Sequence, residues 1–239
     1  MLNTHVRSKR GALGGLALLL ASGSALVACG SGPNGPSAKT ILSSAAKDAA
    51  AEGWVREQRV SSGPGQSLRG TNAIGLTAEE QHVVVDGSIA SIIVLPNAAY
   101  VKGNEKALVG VFGITTKKAG PLAGKWIKIE SSNDAYATLS SGATLVKHFE
   151  EYTVIAPLTE ASDVTIDGQK ALPISGHLTG PNNSTIQATM YVTTSGVVLP
   201  IELLIKQGTA VSTASWSAWG HAVSIVAPKT SIPFARVLH

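Results

Sequence analysis

A single cysteine, Cys29, in 239 residues excludes any disulfide within the chain and any metal centre built from several thiolates. Aromatic residues are scarce, at 5% with three Phe, four Tyr and four Trp, so a core made chiefly of clustered rings is not expected. The 44% hydrophobic content rests instead on Val, Ile, Leu and Ala, a composition suited to β-branched strands. Charge is thin as well, with 19 Lys and Arg against 15 Asp and Glu. Three of the basic residues, Arg7, Lys9 and Arg10, fall within residues 1–28 and no acidic residue does, which leaves 16 against 15 for the remainder. That balance gives no support to the basic stripe of a nucleic-acid-binding surface or to a polybasic membrane patch. No apolar run reaches the roughly 20 residues of a membrane span, because Gly14, Gly15, Ser22, Gly23 and Ser24 interrupt the longest one.

The N-terminus has three parts: the basic residues just named, an apolar stretch from Gly11 to Leu20, and a small-residue approach to Leu26-Val27-Ala28-Cys29. This is the anatomy of an export signal ending in a lipobox. Residues 1–28 are therefore expected to be removed, and the thiol of Cys29 to become a thioether to diacylglycerol, with its freed amine open to acylation by a chain such as palmitate. Two acyl chains suffice for stable anchoring, since each buried methylene contributes roughly 0.8 kcal/mol. The expected location is the extracytoplasmic face of the cell membrane. Residues 29–37 are the lipidated cysteine and a Gly/Ser/Pro/Asn tether, with no apolar side chain to pack beyond Cys29 itself. Residues 38–239 are long enough for one domain with its own core.

Ser37 is placed to cap a helix running to about Glu52, with Ile41, Ala45 and Ala49 or Leu42, Ala46 and Ala49 as its apolar stripe and Gly53 ending it. Strands follow over 54–61, 68–76, 82–85, 89–95 and 99–102, with Asp86-Gly87 as a hairpin turn. The pattern then predicts a short helix over 105–112, a loop at Lys117-Lys118-Ala119-Gly120-Pro121, a strand over 125–129 and a helix over 133–152 with Leu139, Ala143, Val146 and Phe149 on one face. Further on, Ile186, Ala188, Met190 and Val192 alternate with Thr185, Gln187, Thr189 and Tyr191, and Ile201, Leu203 and Ile205 repeat the alternation; such sheets have one wet face. By contrast, the run 89–95 is apolar on both faces and must be covered on both sides, by helices or by a ligand.

Chemistry-bearing motifs are sparse. His82, His148, His177, His221 and His239 are dispersed with no metal-ligand spacing, and the sequence has no nucleophile elbow, phosphate-binding loop or dinucleotide fingerprint. Ser44-Ala45-Ala46-Lys47, Ser131-Ser132-Asn133 and Lys229-Thr230-Ser231 occur in the order of the three motifs of serine penicillin-recognising enzymes. Pro228 and Pro233 flank the third, which denies it the strand context that chemistry needs. Glu79-Glu80 beside a turn and Glu150-Glu151 near a helix end read as solvated charge. Neither an enzyme nor a resident metal or cofactor is expected.

The order of landmarks is more informative. After the lipobox and first helix come Tyr100-Val101-Lys102-Gly103, then Leu122-Ala123-Gly124-Lys125-Trp126-Ile127-Lys128-Ile129, then Val164-Thr165-Ile166-Asp167-Gly168-Gln169-Lys170-Ala171-Leu172-Pro173-Ile174. Leu199-Pro200-Ile201, Trp216-Ser217-Ala218-Trp219-Gly220-His221-Ala222-Val223 and Ala227-Pro228 complete the series. This order resembles the actinobacterial envelope lipoproteins of the LolA-like superfamily (LppX/LprG-like). The resemblance implies an α+β fold: a curved antiparallel β half-barrel with helices across its concave face and an apolar cavity between. It also implies binding or transfer of an acyl-chain lipid or glycolipid, by a monomer held to the membrane through its anchor. Ile92, Val94, Leu108, Phe112, Met190 and Leu203 are then the expected lining of one continuous apolar space, with 105–112 as its lid. The competing expectation is a non-catalytic envelope interaction or structural module whose core is filled.

Overall fold

A computed structural model describes residues 36–180 and 184–238; the leader, Cys29 and most of the tether lie outside them. The first element, α1 (Ala38–Glu52), begins and ends where its caps dictate. Ser37 Oγ accepts from the Thr40 amide, and Gly53 takes the left-handed conformation (φ 77°) that favours glycine at a helix terminus. Ala45 and Ala49 are its buried residues, and their small side chains let the helix approach the sheet closely.

Among the described residues, thirteen strands form one sheet. The first meander is β1 (Trp54–Gly63), β2 (Gln66–Gly75), β3 (Glu79–Val85), β4 (Ser88–Leu95), β5 (Ala98–Gly103) and β6 (Ile127–Glu130). The second comprises β7 (Ile155–Glu160), β8 (Val164–Ile166), β9 (Gln169–Thr179), β10 (Thr185–Thr193), β11 (Pro200–Gln207) and β12 (Ala210–Ser217), and β13 (Ile232–Pro233) follows. The order is β13-β6-β5-β4-β3-β2-β1-β12-β11-β10-β9-β7, with β8 paired to β9. These pairings are antiparallel except that of β13 with β6. The two meanders meet along the β1–β12 seam, where Glu57 faces Trp216 and Arg59 faces Ala214. The sheet is curved and does not close.

Asp86-Gly87 (φ 47° and 81°) turns β3 into β4 in the hairpin geometry its sequence predicts. Asp167-Gly168 repeats the same angles between β8 and β9. The helices crossing between β5 and β7 are α2 (Glu105–Gly110), α3 (Thr116–Leu122), α4 (Asp134–Ser140) and α5 (Leu145–Glu151); α6 (Ala235–Leu238) follows β13. Two expectations are corrected here. The segment expected as a loop around Lys117–Pro121 is α3, since Pro121 falls at its end and Ala119 is fully buried. The helix expected over 133–152 is two helices, because Gly142 adopts φ 76° and breaks the path. The break also re-aims the apolar stripe: Leu145 is buried while Val146 is exposed.

The core is divided. One cluster joins α1 and α5 to β9–β12 through Ala49, Phe149, Ile174, Met190, Leu203 and Trp216. A second joins β4–β6 to α2, α3 and α6 through Val94, Val101, Leu108, Ala119, Ile127 and Val237. On the opposite face, Ile93, Ala98 and Tyr100 pack with Trp126 and with Ile225 from the segment after β12. That returning segment explains the doubly apolar run 89–95. Val94 lies under the helices and Ile93 under the segment, so protein covers both faces toward the end of the run, while Ile89 at its start is exposed.

Close approach of backbone to backbone limits one position. A Cβ on Gly176 would lie 2.6 Å from the Ile155 carbonyl oxygen and 2.7 Å from Val154 Cγ1, where the chain enters β7. Gly176→Ala should therefore destabilise the fold by roughly 1–3 kcal/mol. Gly70→Ala, whose nearest neighbour would be 3.5 Å away, should be nearly neutral by the same thermal-melting comparison. Equal melting temperatures for Gly176→Ala and the parent would contradict this packing.

Candidate functional site

The concave side of the sheet carries the candidate site, in two chemically distinct parts. The first is a mostly apolar cavity of about 430 Å³ beneath α1, open to solvent along a rim that includes the exposed Lys39, Ser43 and Thr153. Leu42 and Ala45 of α1, Phe149 of α5, Val154, Leu158 of β7 and Met190 of β10 contribute to its walls. Period-two alternation delivers Met190 to this side. It also brings Leu203 of β11 opposite Met190, where it is fully buried in the same cluster. The cavity lies within the ordinary range of ligand sites, roughly 300–1,000 Å³, and near its lower end.

The six residues expected to share one apolar space are distributed between two cores. Met190 lines the cavity and Leu203 packs in the same core. Ile92, Val94, Leu108 and Phe112 belong to the second cluster, beneath α2 and α3. Leu108 is fully buried in that cluster, while the expected lid residue Val111 is exposed. The segment 105–112 therefore plugs the second core and does not border the cavity. Asn104 fixes it, accepting from the Ala107 amide and donating from Nδ2 to the Gly87 carbonyl.

The second part is polar and centred on Glu57, whose side chain is fully buried. Four donors converge on its carboxylate: His148 Nε2 at 2.6 Å and Trp216 Nε1 at 3.1 Å on Oε2, with Asn72 Nδ2 at 2.8 Å and an Arg59 guanidinium nitrogen at 3.1 Å on Oε1. Because the carboxylate only accepts, His148 must carry its proton on Nε2. Burial is the largest single influence and pushes Glu57 upward. His148, Arg59 and Trp216 together outweigh it, so the carboxyl sits below its ordinary value. The arrangement ties α5 to β1, β2 and β12. It is wrapped by rings: His148 packs edge-on against Phe149 and Tyr152, Phe149 and Tyr152 lean on Trp216, and Arg59 lies 5.4 Å from the Tyr152 ring centre.

Glu79 corrects the reading of Glu79-Glu80 as solvated charge. Strand β3 begins at Glu79, so alternation turns Glu79 into the concave face, 2% exposed, and leaves Glu80 in solvent. Burial drives its pKa up to about 7, against a weaker opposing hydrogen bond from Gln81. Glu57 and His148 also escaped the sequence reading. The available signal was their spacing, since Val55, Glu57 and Arg59 occupy alternate positions of one strand whose first member is apolar and buried. Among the described residues, no three His, Cys, Asp or Glu side chains gather as a metal centre. The three motifs weighed for acyl-enzyme chemistry fall on α1, before α4 and before β13, well separated along the fold.

The two buried carboxyls have opposite linkage to pH. Glu79 binds its proton more tightly in the folded state, so stability is lost as pH rises from about 4.5 to about 7, by at most about 3 kcal/mol. Glu57 has a folded value below 4.5, so the stability it contributes is present above 4.5 and lost as pH falls through that lower value. These two groups together place the stability maximum near pH 4.5. Glu79→Gln should raise the melting temperature at pH 8 and change it little at pH 5; an equal shift at both pH values would contradict the assignment.

No protein-family model matches the sequence, and no curated protein sequence matches it. Among solved structures, the lipoprotein LppX of Mycobacterium tuberculosis superposes with a TM-score of 0.52 at 14% identity, over 80% of this chain and 100% of LppX. LprF of Mycobacterium bovis gives 0.48 at 13% identity, over 79% of this chain and 95% of LprF. An uncharacterized conserved protein from Thermus thermophilus gives 0.44 at 9% identity, over 82% of this chain and 97% of that one. The likeness to LppX spans that whole protein and includes the curved, unclosed antiparallel sheet with its few helices. The chain shares the α+β fold of LppX, a large curved and unclosed antiparallel sheet with a few helices.

Proposed function

We propose that this protein is a membrane-anchored carrier that holds an acyl chain of a lipid or glycolipid in the cavity beneath α1. The observation that carries this reading is the cavity itself: about 430 Å³, walled by Leu42, Phe149, Val154, Leu158 and Met190, on the helix-covered side of an open sheet. Burial of about ten methylenes there would contribute roughly 8 kcal/mol before ordering costs, which makes micromolar the tightest affinity this burial alone supports. No catalytic step enters the proposal. The fully buried leucine and isoleucines of the second core, Leu108 and Ile127 among them, give that half of the domain a structural role.

Anchoring rests on Leu26-Val27-Ala28-Cys29 behind the basic leader. No helix among the described residues is long and apolar enough to cross a membrane. A diacylglyceryl Cys29 on the tether would hold the domain at the extracytoplasmic face, within reach of bilayer lipid.

Delipidated protein should bind a fluorescent fatty acid at micromolar concentrations, and Leu42→Trp or Met190→Trp should weaken binding at least about tenfold by filling the cavity. Ile92→Trp, in the second core, should leave binding intact in folded protein. Absence of binding by the parent would favour a filled-core interaction module. Separately, Cys29→Ser should move the protein from the detergent phase to the aqueous phase and remove the lipid mass from its intact spectrum. Retention in the detergent phase would contradict the anchor.

A further inference from the structure

Between the middle of the concave sheet and the α4–α5 turn lies a separate cleft of about 130 Å³. Its walls include Arg59, Gly70, Asn72, Glu79 and Gln81 from β1–β3, with Gly142 and His148 above them. The Glu57 network accounts for part of this polarity. One acceptor is left over, beside a buried carboxyl with a single neighbour. Asn72 Oδ1 is buried with no hydrogen-bond partner, its amide nitrogen being committed to Glu57. Glu79 is buried on the wall of the cleft, and Gln81, two residues along the same strand, is its hydrogen-bonding neighbour. A buried acceptor without a donor costs roughly 1–3 kcal/mol. The Glu57 network gives no reason to leave Asn72 Oδ1 unpaired.

The cleft also offers donors, since Arg59 uses one guanidinium nitrogen on Glu57 and remains about a third exposed. Acceptors on β2 and β3 and a donor on β1 line the same cleft, within a cluster where Arg59 already balances Glu57. That pattern suits a neutral group that both donates and accepts at adjacent atoms. An added cation would face Arg59, and an added anion would face Glu57 and Glu79. Leu68 lines this cleft and also an apolar groove of about 380 Å³ at the hairpin ends, bordered by Val85, Ile186 and Ile205.

We infer that the cleft bounded by Asn72, Glu79 and Arg59 is a binding subsite for a polyhydroxylated group, its hydroxyls donating to Asn72 and Glu79 and accepting from Arg59. The group is either a free polyol or the sugar head of a lipid; in the second case the inference rests on the carrier reading. About four waters would fill the same volume, and water alone is the competing occupant.

The test uses the anchored protein in phosphatidylcholine nanodiscs, following amide signals of Gly70, Asn72, Gln81 and Gly142 by nuclear magnetic resonance. Methyl glucoside is titrated in one arm. In the other, a glucosyl diacylglycerol in the disc is compared with plain diacylglycerol. Movement of these signals by methyl glucoside identifies a free polyol; movement by the glucosyl lipid alone identifies a lipid head. Gly70→Leu, which fills the cleft from a position where a Cβ meets only ordinary contacts, should abolish the response. At pH 8, where Glu79 is ionised, Glu79→Gln should weaken it about tenfold, the worth of one hydrogen bond to a charged group. No movement with either probe, or the same movement in Gly70→Leu, would overturn the inference. Loss of fatty-acid binding with a preserved methyl glucoside response would overturn the carrier reading and leave this one standing.

Discussion

The concave face is organised around one buried carboxylate. Glu57 sits on the seam where the two meanders join, and its four donors come from β1, β2, β12 and α5. A charge so placed is expensive unless every lone pair is occupied. The occupancy here fixes the helix over the sheet: α5 can supply His148 only when it lies across β1 and β12. Removing one donor would leave a buried charge short of a partner, which is costlier than never having built the pair. Position of α5 in turn sets Phe149, and Phe149 forms part of the cavity wall. The polar centre thus determines where the apolar space can be.

The two halves of the sheet use their helices differently. Over β4–β6, residues from α2, α3 and α6 pack into a filled core, and Tyr136 of α4 locks that side by donating to the Leu95 carbonyl at 2.9 Å. Over β10–β11, α1 presents alanines where a filled core would place larger side chains, and the sheet answers with Ala188 and Ala214. Small residues on both sides bring surfaces close at some points and leave space at others. The cavity beneath α1 is a consequence of that choice.

Much of the architecture was legible in the sequence because it rests on local rules. Ser37 and Gly53 bounded α1, Asp86-Gly87 marked a hairpin, and the alternation around Met190 and Leu203 put both side chains on the inner face. Contacts between distant segments were not legible. Nothing near residues 89–95 announces that Ile225 covers their outer face, and nothing near Glu57 announces His148, 91 residues away. Burial of Glu79 follows from where β3 begins, one residue of phase that sequence periodicity does not determine. The division of the six expected cavity residues between two cores has the same origin. Four of them pack in the core beneath α2 and α3, while Met190 and Leu203 pack in the core beneath α1, where only Met190 reaches the cavity.

The carrier reading depends on the cavity beneath α1 being a lipid site, and native mass spectrometry of the protein released gently from its own membrane tests this most directly. A carrier should show a mass beyond that of the anchored polypeptide, removable by delipidation and lost in Met190→Trp. Release of a single species at the mass of the anchored chain alone, from a folded sample, would contradict it.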